Sequence, residues 1–128
     1  MTFAELVERN RSYRRFDGSH RVSVETLREL VGLARLVPSG MNAQPLRYAL
    51  VCGPETNARV YDTLAWAGAL NDWPGPGPAE RPTAYIVILV DPALSENAGN
   101  DVGIAAQTIL LSATEKGLGG CMLGSIRR

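Results

Sequence analysis

Six consecutive residues, Tyr85 to Val90 (Tyr-Ile-Val-Ile-Leu-Val), form an unbroken apolar run. Such a run predicts a strand buried on both faces, and a strand of that kind needs other elements to cover it. A long helix is expected behind it, from about Ala98 to Lys116, stopped by Gly117 as a C-cap. Ile104, Ile109, Leu110 and Leu111 wrap most of its circumference, which predicts burial nearly all round. Gly103, Ala105 and Ala106 are small enough to let another helix pack close. The 128 residues and their 45% hydrophobic content suit one domain over residues 1–128. A chain of this length buries roughly two-thirds of the surface it exposes when unfolded.

The other elements follow from local signals. Thr2-Phe3-Ala4-Glu5 has capping-box spacing, and Phe3, Leu6 and Val7 then share one helical face. Ser23 can cap a second helix, with Val22 and Leu27 at the positions of a hydrophobic staple. Leu27, Leu30, Val31 and Ala34 make its amphipathic face, and Pro38-Ser39-Gly40 breaks it. Leu46 to Cys52 reads as a strand. Gly53-Pro54 marks a turn into a third helix, with Pro54 at the first helical position. Tyr61, Leu64 and Ala65 continue at helical spacing. Trp73 to Pro78 is a Pro/Gly loop that cannot hold a regular ladder.

Charge and cysteine usage exclude several classes. Thirteen basic residues balance thirteen acidic ones, so nothing drives the whole chain toward nucleic acid or an anionic membrane. Cys52 and Cys121 show no metal or redox spacing. The N-terminus lacks a signal-peptide h-region, and no apolar run approaches a span of about 20 residues. The expectation is a soluble cytoplasmic protein.

Three segments could carry chemistry. The first is Arg11-Ser12-Tyr13-Arg14-Arg15-Phe16, in a locally basic stretch. Forked guanidinium donors fit phosphate oxygens, and a hydroxyl adds one more donor. Taken alone, the segment is better read as a solvated basic turn. The second is Pro38-Ser39-Gly40-Met41-Asn42-Ala43-Gln44-Pro45, joining a helix to a strand. Ser39, Asn42 and Gln44 can offer amides and a hydroxyl to a polar heterocycle, and Gly40 allows close backbone approach. Alone, it is an ordinary polar loop. The third is Gly117-Leu118-Gly119-Gly120. It fails the G-x-G-x-x-G spacing and follows a helix, so a Rossmann loop is rejected in favour of a C-cap and turn. One of its backbone N–H groups could still face a ligand. His20 sits in a polar loop, no catalytic triad or metal cluster is suggested, and Cys121 reads as a small core residue. An enzyme with this residue set would leave the hard chemistry to a cofactor.

Together, and in this order, the three segments resemble the FMN-dependent nitroreductase family. Arg11 to Phe16 is similar to its R-S-x-R-x-F motif, and Ala34 to Pro45 to its A-P-S-x-x-N-x-Q-P signature, with Val37 where alanine is usual. The resemblance covers almost the whole chain. It implies an α+β fold, a mixed α/β sandwich with a central sheet flanked by helices. It also implies an obligate homodimer with FMN at the interface. Arg11, Ser12 and Arg14 would serve the phosphate, ribityl and pyrimidine side of FMN. Pro38, Ser39, Gly40, Asn42 and Gln44 would reach the same FMN from the other subunit. Leu118, Gly119 and Gly120 would approach the isoalloxazine through backbone groups. An arginine near the pyrimidine edge stabilises the negative charge of a reduced flavin, and a backbone N–H near N5 helps position the ring.

The implied activity is ping-pong hydride transfer from NAD(P)H through FMN to a nitroaromatic, quinone or similar acceptor. No side chain is expected to act as a catalytic residue, and no metal, nucleic acid or membrane is expected as a partner. The segment from Trp66 to Arg81 is the expected acceptor pocket. The chain departs from the family in two places. Asn10 stands where the family has the first arginine of a pair. The usual C-terminal strand and extension are not represented, and Arg127 and Arg128 come too early to replace a distant phosphate ligand. The alternative is therefore a non-catalytic, truncated nitroreductase-like module that dimerises or binds flavin without turnover.

Overall fold

A computed structural model describes residues 1–127; Arg128 lies outside the described residues. The elements are α1 (Phe3–Arg9), α2 (Val24–Ala34), β1 (Leu46–Val51), α3 (Pro54–Tyr61), β2 (Tyr85–Val90) and α4 (Gly99–Glu115). Local signals set most boundaries. Thr2 and Glu5 form a reciprocal capping box at α1. The Ser23 hydroxyl accepts the Thr26 N–H at α2. Each satisfies a helix-end donor that would otherwise go unpaired. At the far end of α4, Gly117 takes φ +78°. The Leu118 N–H then bonds the Ala113 carbonyl, and the Gly117 N–H bonds that of Thr114, which is a Schellman closure.

The strands β1 and β2 pair antiparallel, with Leu46 opposite Val90 and Val51 opposite Tyr85. Leu46, Tyr48 and Leu50 alternate onto the same face as Ile86 and Ile88 and pack against the helical core. That core is the seam between α2 and α4. Leu27, Leu30 and Ala34 meet Ala105, Ile109 and Ala113, all buried. Val22 packs against the same cluster, as the staple predicts.

Three expectations are corrected. Leu89 and Val90 are 51% and 40% exposed, so β2 is not covered on both faces in the single chain. Only two strands pair among the described residues, and α2 and α4 cover one side of them. The helix α4 is buried along one stripe, with Asp101, Ala105, Ile109 and Ser112–Thr114 inside and Ile104 exposed. Ala105 makes the close helix contact, whereas Gly103 faces solvent. Finally, α3 stops at Tyr61, and Leu64 instead forms an isolated antiparallel bridge with Ile126.

Part of the apolar surface is contiguous. Phe3, Leu6, Leu33 and Leu111 line a shallow groove of about 420 Å³ between α1, α2 and α4. The apolar face predicted for α1 thus exists, but Phe3 and Val7 remain exposed.

Candidate functional site

The long helix α4 carries candidate residues at both ends. Beyond its C-terminus, Ser12 and Gly120 form a parallel bridge. The Tyr13 N–H donates to the Gly120 carbonyl at 3.0 Å. This brings Arg11, Ser12 and Arg14 beside Leu118, Gly119 and Gly120, two segments more than 100 residues apart in sequence. An added Cβ on Gly119 would stand 2.8 Å from the Tyr13 ring, so glycine allows this close approach. The Tyr13 hydroxyl donates to the Arg9 carbonyl at 2.9 Å and ties the segment back to α1.

The guanidiniums here are incompletely used. Arg11 donates to the Asn10 carbonyl at 2.9 Å. Arg14 reaches only the Ser12 carbonyl, at 3.4 Å, and its Nε is buried with no partner. A buried cationic N–H without an acceptor is costly, so the position suits an acceptor-rich or anionic ligand. Burial pushes the Cys121 thiol up, opposed by the nearby Arg14 charge. Cys121 is therefore a poor thiolate, in keeping with a packing role.

At the other end of α4 lies the second segment. The Ser39 hydroxyl donates to Asp101 Oδ2 at 2.5 Å, and the Gly40 N–H to Oδ1 at 3.2 Å. The Gln44 N–H donates to Ser39 Oγ at 3.0 Å, and Gln44 Nε2 to Asn42 Oδ1 at 2.8 Å. Within this loop Met41, Asn42 and Gln44 take φ of 53°, 53° and 50°. The left-handed backbone falls on these three residues and not on Gly40, the residue whose flexibility the sequence highlights. Pro38, Ser39 and Gln44, with Asp101, Arg35, Tyr48 and others, line a cavity of about 420 Å³ over β1.

The structure therefore joins the first and third segments and leaves the second apart. Asp101 and Gly117 are separated along α4 by roughly 24 Å at 1.5 Å per residue. Sequence reasoning missed Asp101. An acid in a first helical turn is unremarkable, because it complements the helix dipole. His20 is exposed. Trp66 packs against Tyr61 and Trp73, with ring centroids 6.0 and 6.5 Å away. Arg81 stacks over Tyr61 at 3.9 Å. Those contacts give the tryptophans a packing role, and neither lines the cavity over β1. Among the described residues no cluster of His, Cys, Asp and Glu could hold a metal ion, and no helix is long and apolar enough to cross a membrane.

Comparison with known proteins gives a consistent result. The sequence profile of the Nitroreductase family matches residues 7–128. The Bacillus subtilis (strain 168) protein YdgI, provisionally named an NAD(P)H nitroreductase, is 36% identical over 58 residues, 45% of this chain and 28% of YdgI. Among solved structures, an FMN-dependent nitroreductase from Clostridium difficile R20291 superposes with a TM-score of 0.73 at 26% identity, over 97% of this chain and 61% of that one. A protein from Desulfovibrio desulfuricans, solved with FMN and provisionally described as a nitroreductase, superposes with a TM-score of 0.74 at 23% identity, over 95% of this chain and 67% of that one. The chain thus spans about two-thirds of the length of these structural relatives.

Proposed function

The chain belongs to the nitroreductase family, and from that premise we propose that it is an FMN-binding oxidoreductase that works as a homodimer. The observation that carries the reading is the juncture of Ser12 with Gly120, beside the buried and unpartnered Nε of Arg14. Arg14 and Arg11 would hold and orient FMN through charge-assisted hydrogen bonds. Ser12 would add a hydroxyl donor, and the turn at Leu118, Gly119 and Gly120 would present backbone groups to the ring. FMN held there would supply the redox chemistry, hydride transfer between NAD(P)H and a nitroaromatic, quinone or similar acceptor.

The separation of the second segment supports the dimer. Pro38, Ser39, Gly40, Asn42 and Gln44 stand at the opposite end of α4 from Arg14. On this reading a second copy would contribute them to the same flavin. The exposed groove of Phe3, Leu6, Leu33 and Leu111 offers apolar surface for such an assembly.

The test is the visible absorbance spectrum of the purified chain, before and after anaerobic NADPH and then NADH. Flavin bands that bleach are expected. A colourless protein that takes up no added FMN would overturn the reading in favour of a non-catalytic module.

A further inference from the structure

The second segment is held in place by a residue that contacts none of the other candidate segments. We infer that Asp101 is a positioning residue: its carboxylate anchors the Ser39–Gln44 loop in the backbone conformation that presents Asn42 and Gln44. The inference rests on the flavin reading above for what the loop binds, and on geometry alone for how the loop is held.

Asp101 is the third residue of α4, and its helix has no side-chain cap at Ala98. An acid in a first turn usually faces its own backbone donors or water. This one is turned outward to the loop, and only 8% of it is exposed. Its two oxygens take separate donors, the Ser39 hydroxyl and the Gly40 N–H. Because Ser39 spends its proton on the carboxylate, its oxygen is left to accept the Gln44 N–H. The relay runs from carboxylate to hydroxyl to amide and spans both ends of the loop.

What the relay encloses needs holding. Met41, Asn42 and Gln44 are all left-handed, and none is glycine. Side chains other than glycine enter that region at a cost, and such conformations persist only where the surroundings over-determine them. Packing does not supply this constraint, since Met41 is fully exposed and Asn42 and Gln44 are exposed. The hydrogen bonds that close the loop are the Asp101 relay, the Asn42 and Ala43 turn bonds and the Gln44–Asn42 side-chain bond. The Gln44 carbonyl also accepts from Arg47 Nη1 on β1 at 3.2 Å, but the relay alone ties the Ser39–Gly40 end of the loop to a rigid element distant in sequence. The two donated hydrogen bonds also hold the Asp101 carboxyl below the usual carboxylate range, against the opposing effect of burial. It is thus an acceptor-only group at neutral pH, matched to two donors.

The test compares wild type, Asp101→Ala, Asp101→Asn and Ser39→Ala by two readouts. Amide hydrogen exchange of the flavin-free chain reports the loop directly. The expected result for Asp101→Ala is at least tenfold faster exchange at Gly40 and Gln44, with Ile109 and Ala113 unchanged. Asp101→Asn, which keeps an acceptor and the shape, should fall between. Flavin fluorescence titration should show at least tenfold weaker FMN binding for Asp101→Ala, with partial recovery in Asp101→Asn. If Asp101→Ala does not fold, Ser39→Ala must reproduce the faster exchange at Gln44. Unchanged loop exchange overturns the inference, and so does loosened exchange with FMN binding within twofold of wild type. If the wild-type chain takes up no FMN, the flavin reading fails, and exchange alone decides whether Asp101 is the anchor.

Discussion

Gly119 gives the sharpest test of the juncture between the basic segment and the glycine turn. Replacing it with alanine places a Cβ 2.8 Å from Tyr13 Cδ2 and 3.1 Å from Cγ. Carbon atoms pack best at about 3.5–4.0 Å, so the ring must retreat by about 0.7–1.2 Å. Tyr13 is 43% exposed and has room to move. Its retreat strains the hydroxyl bond to Arg9 and the backbone bond to Gly120. Losing one such bond costs about 1 kcal/mol net. For a domain of this size that is roughly 3–5 °C in Tm. The same shift displaces Ser12 and Arg14, and a tenfold loss of FMN affinity corresponds to about 1.4 kcal/mol. The assay is a double-mutant cycle with Tyr13→Ala, read by thermal melting and flavin titration. Without the ring there is nothing to strike, so Gly119→Ala should then act within about 0.5 kcal/mol of neutral. Equal effects of Gly119→Ala in both backgrounds would refute the steric argument.

Three further outcomes are expected. Arg14→Ala should weaken FMN binding more than Arg15→Ala, because Arg14 is half-buried with an unpartnered Nε while Arg15 is exposed; equal Kd changes in a flavin titration would count against the site. Leu30→Ala should cost about 2–5 kcal/mol by opening a cavity in the α2–α4 seam. Urea unfolding should show that as a lower midpoint with an unchanged slope, and a loss under about 1 kcal/mol would remove the seam from the core. Burial, and then the neighbouring Tyr61, push the Tyr85 hydroxyl up from 10.0 to about 12, opposed by Arg81. The neutral form is thus favoured on folding, and its contribution is present below pH 10.0 and lost as pH rises through about 12. Tyr85→Phe should flatten that alkaline loss in urea melts. Since the hydroxyl is buried without a partner, it should cost nothing at pH 7. A clear destabilisation there would mean the hydroxyl has an acceptor.

Much of the frame was legible because its signals are local. The capping box of Thr2 and Glu5, the Ser23 cap, Pro54 at the start of α3 and the Gly117 closure each lie within about one helical turn of what they control. The amphipathic face of α2 was equally readable, because Leu27, Leu30 and Ala34 recur at helical spacing. Burial of α4 and β2 was overestimated for a related reason. Apolar composition reports that a surface seeks a partner, but not whether the same chain provides one. Ile104, Leu89 and Val90 are apolar and exposed.

The candidate site divides along the same line. The chemistry of its residues is a property of the sequence: guanidiniums and a hydroxyl at Arg11, Ser12 and Arg14, amides at Asn42 and Gln44, and a glycine turn after α4. Their order along the chain was enough to identify the family. Which of them meet was decided by the tertiary structure. Ser12 reaches Gly120 because α4 carries the chain back past the start of the domain, while the Ser39–Gln44 loop is left at the helix's other end. The loop's left-handed backbone, and its tie to an aspartate 62 residues from Ser39, leave no local trace. The energy that holds it comes from a hydrogen-bonded contact between distant segments, and only folding brings those segments together.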